Sequence, residues 1–155
     1  VHRAVEAVMS NEVINRLLAV HLSQLELPTA YINAPFEPTE APYLAESYLP
    51  ATQAPVGMEN GSTDEFTGIY QVTVSAPRKE YKLKGFELAD LVSRHFVRGT
   101  KLRASILPDW FEYFTDKNFV AVRIERVEQN PGFIVGSRWN IPLSIQYRSF
   151  IKHVV

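Results

Sequence analysis

The chain has 155 residues, 46% of them hydrophobic and 21% charged, and its formal net charge is −1. This length suits one domain with a substantial core and is short for two. The absence of cysteine excludes disulfides, thiolate metal sites and a cysteine nucleophile. The near-neutral charge argues against a generally basic nucleic-acid-binding protein. No apolar run reaches the roughly 18 residues of a membrane span, so we expect no membrane partner.

Two positions near the N-terminus are candidates for the natural start of the chain. The chain begins with Val1, and Met9 is followed by Ser10-Asn11-Glu12, which is typical of a helix start because serine or asparagine caps the helix and glutamate suits its positive end. We expect the natural start at Met9. The alternative is that residues 1–8 add a helical turn. Either way, we expect one domain over residues 1–155.

The first half of the chain predicts one helix and an extended region. Apolar residues at three- and four-residue steps predict an amphipathic helix over 11–26. Residues 34–57 carry five of the ten prolines, which favours an extended segment; within it, residues 42–49 form a predicted strand flanked by prolines. Residues 57–65 predict a polar loop, since Asn60-Gly61 is a strong turn signal.

The second half alternates between apolar and polar residues. This period predicts strands over 66–75, 102–107, 118–128 and 138–150, with a second amphipathic helix over 85–96. Pro142 falls on the polar face of the last strand, which indicates an edge strand or a bulge. The predicted fold class is therefore α+β, with one mainly antiparallel sheet and two α-helices packed on one face.

Acidic and basic residues occupy different parts of the chain. Residues 17–77 contain no lysine or arginine and seven acids, whereas residues 78–155 contain fourteen basic residues and eight acids. In a ring whose subunits meet head to tail, such a division lets an acidic edge face a basic edge. The alternative is chance segregation, which salt screens within about 8 Å. The interface hypothesis names as contacts Glu37, Glu40, Glu59, Asp64, Glu65, Arg94, Arg98, Lys101 and Arg103.

No motif in the sequence indicates a reaction. The four histidines stand far apart and lack metal-ligand spacing, and there is no nucleophile elbow, phosphate loop or dinucleotide fingerprint. His21 lies on the apolar side of the first helix, where a core histidine is the simpler interpretation. His95 falls in the last turn of the second helix, where positive charge is stabilising. We therefore expect no enzyme activity, cofactor or metal.

Four aromatic residues stand together in the run Trp110-Phe111-Glu112-Tyr113-Phe114. They fit neither the helical nor the strand period well. Trp110 and Phe111 are candidate interface anchors, because aromatic residues are enriched in that role. The alternative is a strand and turn that cover the core. Stacking on nucleic acid is a third use, but the acids at 109, 112 and 116 argue against a phosphate groove.

The middle of the chain is similar to a known family. A strand of the form Gly-x-Tyr-Gln-Val-x-Val at residues 68–74 is followed by Pro77, and then by a helix that contains Ala89-Asp90 and closes on Phe96. This pattern, with the short N-terminal helix before it, resembles the tail-terminator proteins of long-tailed bacteriophages over roughly residues 10–150. The matched residues are structural, and none is catalytic.

The resemblance implies a virion protein that forms a ring, expected to be a hexamer, on the head-proximal end of the tail tube. Such a ring ends tube polymerisation, contacts the tail-tube protein and the neck proteins, and lets DNA pass through its channel without reading its sequence. It also implies that the 57–65 loop faces the channel or a neighbouring subunit. One alternative is the head-completion, or stopper, protein of the neck. A different alternative is a non-viral α+β ligand-binding domain.

Overall fold

A mixed β-sheet covered on one face by two α-helices forms the fold. A computed structural model describes residues 10–32, 34–38, 41–55, 63–77 and 82–152. In chain order the elements are α1 (Ser10–Ser23), β1 (Thr29–Ala30), β2 (Tyr43–Pro55), β3 (Thr63–Pro77), α2 (Lys82–His95), β4 (Lys101–Arg103), β5 (Val120–Gln129), β6 (Phe133–Val135) and β7 (Arg138–Lys152).

The sheet order is β1-β2-β3-β7-β5-β4, with β6 also paired to β7. Every described strand pair is antiparallel except β1 with β2, which is parallel. The predicted α+β class is confirmed, and the antiparallel prediction holds for all but this short pair. Long strands β3 and β7 lie at the centre of the sheet, so their apolar faces supply much of the core.

The core lies between the helices and one face of the sheet. Helix α1 buries Ile14, Leu17 and Leu18 completely, as the three- and four-residue spacing predicts. Strands β3 and β7 bury alternate residues, including Tyr70 and Tyr147. Burying each large apolar side chain contributes roughly 1.5–3 kcal/mol, and this burial holds both helices to the same face of the sheet.

Helix boundaries differ from the prediction by a few residues. Helix α1 ends at Ser23 rather than residue 26, although Leu25 still packs against the core. Helix α2 begins at Lys82, three residues before the predicted start at Gly85. Gly85 therefore lies inside the helix. Glycine suits this position because the helix approaches Trp139 closely: a Cβ there would stand 3.1 Å from Trp139 Cδ1.

Strand β2 continues past the prolines that were predicted to end it. It runs to Pro55, with a register irregularity between Leu49 and Thr52. Beyond its short contact with β1 at Leu44 and Ala45, β2 is an edge strand. Pro50 falls at the irregularity, and an edge strand tolerates proline because one side of its backbone needs no partner.

The predicted strand over 102–107 is wrong beyond residue 103. Strand β4 ends at Arg103, and a 3-10 turn, Ala104–Ile106, follows. Ala104 N donates to Phe119 O and Leu107 N donates to Ala104 O, so the backbone leaves the sheet without losing its hydrogen bonds. Ala104 and Leu107 are both buried, which explains why the apolar pattern resembled that of a strand.

Pro142 does not lie on an edge strand, since β7 is flanked by β3 and β5. Pro142 O accepts a hydrogen bond from Asn130 N. A strand residue points its N and O to the same side, so the missing N–H of Pro142 faces the gap between the end of β5 and the start of β6. The proline therefore interrupts no ladder bond to β3, and the prediction of an edge strand is corrected.

Candidate assembly surface

The four basic candidates lie toward one edge of the sheet, and Glu37, the exposed acidic candidate among the described residues, precedes β2 near the other edge. Strands β1 and β2 form one edge and β4 forms the other. The acidic part of the sequence, residues 17–77, contains β1, β2 and β3, whereas β4 and the end of α2 carry the four basic candidates. For Glu37 and the four basic candidates, the division of charge along the chain is also a division across the sheet.

The basic edge consists of Arg94, Arg98, Lys101 and Arg103, and all four side chains are exposed. In β4, Lys101 and Arg103 flank the buried Leu102 and so lie on one face of the strand. Arg103 Nη1 donates to Asn118 O at 3.0 Å. Arg98 precedes Gly99, whose N–H binds Ile124 O, so the end of α2 is fastened beside β5.

The acidic candidates are only partly brought together. Glu37 is exposed in the segment before β2, while Glu40 and Glu59 lie outside the described residues. The predicted 57–65 loop is wrong for residues 63–65, which belong to β3; residues 57–62 are outside the described residues. Asp64 pairs with Pro55 and Ile151 in the sheet. Glu65 is already engaged within the chain, since its Oε1 lies 3.0 Å from Arg148 Nε.

The aromatic run forms a 3-10 turn, Trp110–Glu112, rather than a strand. Trp110, Tyr113 and Phe114 pack against the core, whereas Phe111 is 65% exposed. Each interpretation therefore fits part of the run. Three of the aromatic residues cover the core, and Phe111 remains available for an interface.

Helix α1 holds this turn through a charged contact. Arg16 donates to both carboxylate oxygens of Asp109, at 2.9 and 3.2 Å, and to the Tyr113 hydroxyl at 3.0 Å. The hydrogen bond from Arg16 lowers the pKa of Asp109, and the same bond raises the pKa of Arg16. The contact ties the turn that carries Phe111 to helix α1.

Two cationic residues that the sequence analysis did not single out extend the basic edge across the sheet. Lys101 lies directly opposite Arg123 of β5, and Arg123 lies directly opposite Arg148 of β7. Alternation alone places Arg123 and Arg148 on the polar faces of their strands. Their alignment depends on the register between distant strands, which no local signal in the sequence gives.

Some side chains remain outside these groups. Phe133, Ile134 and Val135 of β6 are all about half exposed, and the sequence analysis did not identify them. Neither described helix has the length and hydropathy needed to cross a membrane, each being 14 residues long. Within the described residues, no three histidine or acidic side chains converge on a point where a metal ion would bind.

Fold and surface together define a small α+β protein with a group of exposed cations at one edge of its sheet. A sequence profile described as phage tail terminator protein matches residues 13–147. Because the match covers most of the chain, the protein belongs to the phage tail terminator family. It is thus a structural protein of the phage tail and a component of the virion.

A comparison with solved structures supports the fold. One solved structure aligns with a TM-score of 0.66 and 18% sequence identity, over 91% of this chain and 96% of that chain. At this identity the likeness concerns the fold alone. A search of curated protein sequences finds no significant match.

Proposed function

We propose that the protein caps the head-proximal end of the tail tube as a hexameric ring, ends tube polymerisation and joins the tail to the neck. Membership of the tail terminator family carries this proposal. The partners would be further copies of the chain, the tail-tube protein and a neck protein. DNA would pass through the ring's channel without sequence-specific contact.

The arrangement of charges supports a ring over a symmetric dimer. A twofold contact uses the same patch on both copies, so each group of charges would meet its own kind unless the two groups lay side by side. Here the basic edge lies at the β4 side of the sheet, whereas the exposed Glu37 precedes β2 at the other side. A head-to-tail contact brings opposite charges together, and when its rotation closes it makes a ring.

Electron microscopy of phage tails that carry a labelled copy of this chain tests the proposal. We expect label at one end of every tail, in a cyclic arrangement with six copies. One or two copies, or a non-cyclic arrangement, would contradict the ring. Label that stays on tailless heads instead of headless tails would identify a head-completion protein.

A further inference from the structure

Three cationic residues form a continuous row across the outer face of the sheet. Lys101, Arg123 and Arg148 are directly opposite one another on β4, β5 and β7, and we call them the basic row. Their chain neighbours Leu102, Val122 and Tyr147 are buried in the core. Because successive residues of a strand point to opposite faces, the basic row points away from the helices. All three side chains are exposed.

Among the described residues, two of the three cations in the basic row have no acidic partner. Directly opposite side chains on antiparallel strands lie roughly 5 Å apart, and like charges in that position are destabilising. Arg148 is compensated by Glu65 at 3.0 Å. Among the described residues, no acid forms an ion pair with Lys101 or Arg123. Lys101 and Arg123 therefore face solvent as adjacent positive charges, and a negatively charged partner would stabilise them.

Acids around the row indicate a protein partner rather than a nucleic acid. Glu65 lies beside Arg148, and Glu128 is paired with Arg126 on the same strand as Arg123, at 2.6 Å. Because each of these carboxylates is paired with an arginine, this face lacks the continuous positive charge that follows a phosphate backbone. A shallow groove next to Arg148 combines apolar Ile69 and Leu49, which is 47% exposed, with polar residues that include Glu125. Such a mixture of apolar, polar and charged groups is typical of surfaces at which proteins bind one another.

The same sequence supplies a surface of matching charge. Residues 17–77, which we call the acidic half, contain seven acids and no lysine or arginine. Of the acids whose side chains the structure describes there, Glu26 and Glu37 are exposed. Glu26 lies between α1 and β1, and Glu37 lies between β1 and β2, the two strands at the edge opposite β4. The basic row and these two acids therefore lie toward different edges of the sheet.

We propose that the basic row is a docking surface for the acidic half of a second copy of this chain. The proposal rests on the proposed ring and names the side chains of its lateral contact. In this proposal the centre of the lateral contact between subunits is Arg123, on the outer face of the sheet, rather than the residues at the end of α2. Lys101 alone is shared between the basic edge and the basic row.

The first test is the single variant Arg123→Glu. It places a glutamate between Lys101 and Arg148, so the row neutralises itself and the folded chain should become slightly more stable. Self-association, measured by sedimentation at about 50 mM salt, should weaken at least tenfold because the docking charge is lost. Lys84→Glu is the matched control, since Lys84 is exposed on α2, across the sheet from the row. It should leave association unchanged.

The second test exchanges charges between two variants. Lys101→Glu/Arg123→Glu and Glu26→Lys/Glu37→Lys should each fail to associate alone, because like charges then face each other. Mixed in equal amounts, they should associate as the wild type does, since alternating copies restore complementary charges at every contact. Circular dichroism of each variant checks that it is folded.

Several results would overturn the proposal. These are a wild type that stays monomeric at the highest soluble concentration in low salt, an Arg123→Glu chain that associates normally, and variants that do not associate when mixed. Binding of a random DNA duplex by the wild type that is lost in Arg123→Glu, without a change in self-association, would replace the second copy with nucleic acid. The electron microscopy test is independent: rings on tails formed by Lys101→Glu/Arg123→Glu chains would refute the basic row and leave the proposed function standing.

Discussion

His21 and His95 stack face to face, with ring centroids 3.9 Å apart and ring planes 10° apart. Each Nε2 lies within hydrogen-bond distance of the other residue's carbonyl oxygen, at 2.8 Å from His21 and 2.5 Å from His95. A carbonyl oxygen only accepts, so both Nε2 atoms must carry a proton. The pair joins the last turns of α1 and α2. Phe96 packs edge-on against both rings.

The histidine pair predicts a loss of stability in mild acid. Burial lowers the pKa of His21 below its usual value near 6.5. Below that value the unfolded chain binds a proton that the folded chain resists, so stability falls as the pH drops from about 6.5 toward the lower folded pKa. His21→Gln keeps an amide donor for His95 O and cannot titrate. Thermal unfolding between about pH 5 and pH 8 should therefore depend less on pH in this variant.

Parallel curves of melting temperature against pH for the wild type and His21→Gln would show that His21 does not contribute. Tyr70 serves as a check on the method: its pKa is raised by burial and by the neighbouring Glu46 carboxylate, which accepts its hydroxyl hydrogen bond, so Tyr70→Phe should not alter the slope in this range.

The Arg16–Asp109 contact predicts a modest, pH-dependent contribution to stability. Both side chains are about a third exposed, at 33% and 32%, so solvent limits the pair to about 1 kcal/mol or less. Because Arg16 lowers the pKa of Asp109, the contribution is present above the unfolded value near 3.9 and is lost as the pH falls through the lower folded pKa. Urea unfolding of Asp109→Asn should show this loss at neutral pH.

A double-mutant cycle with Arg16→Met isolates the pair from the effects of each side chain alone. The two substitutions together should cost less than the sum of the single changes. Additive costs would mean that the ion pair itself contributes nothing, and that the turn from residue 110 to 112 is held by its apolar contacts.

Two glycines form the walls of a slot for the indole of Trp139. A Cβ on Gly132 would stand 2.4 Å from Trp139 Cζ2, and one on Gly85 would stand 3.1 Å from Cδ1. Gly132→Ala must therefore displace the ring, and we expect a loss of about 1–3 kcal/mol in unfolding free energy. A change in tryptophan emission should accompany the loss, because the indole moves from a half-buried position.

Gly136→Asn is the matched control for Gly132→Ala. Gly136 has φ +59° and no atom within 4 Å of the position of an added Cβ. Asparagine tolerates this left-handed conformation, so the change should stay within about 0.5 kcal/mol. Equal stability of both variants would show that the slot around Trp139 adapts freely.

Local patterns predicted the elements well where one face of a helix or strand is buried and the apolar pattern persists over many residues. Helix α1 and strands β3 and β7 follow their apolar periods closely, because burial of each face selects one arrangement. The errors fall where the position of a segment in the sheet, rather than its own sequence, determines its structure. Pro50 remains within a strand because β2 is an edge, and the chain turns after Arg103 because Ala104 binds Phe119 instead of a β5 ladder partner.

The candidate site was only partly predictable for a related reason. The charge division is visible in the sequence, and so are the four residues of the basic edge. The alignment of Lys101, Arg123 and Arg148 is not, because it depends on which residues of three strands lie opposite one another. The histidine pair, 74 positions apart in sequence, also depends on tertiary contact alone.

The basic edge predicts a charge-reversal phenotype in tail assembly. Arg94 lies in the last turn of α2 and Arg98 lies three residues beyond the end of that helix, and both side chains are exposed. Each exposed ion pair is worth only about 0.2–1 kcal/mol, but pairs repeated around a ring would set its orientation and reject wrong partners. Arg94→Glu/Arg98→Glu should therefore abolish capping of tails while the chain stays folded, as checked by electron microscopy and circular dichroism.

Compensating changes on the acidic side complete this test. Capping should partly return when Glu37→Lys and Glu40→Lys are introduced on neighbouring copies, because opposite charges then face each other again. Phe111→Ser separates charge from apolar contact: the side chain is 65% exposed, so its loss should leave stability nearly unchanged. If the Arg94→Glu/Arg98→Glu chain caps tails as well as the wild type while Phe111→Ser does not, then the basic edge only keeps the protein soluble, and the aromatic turn makes the ring contact.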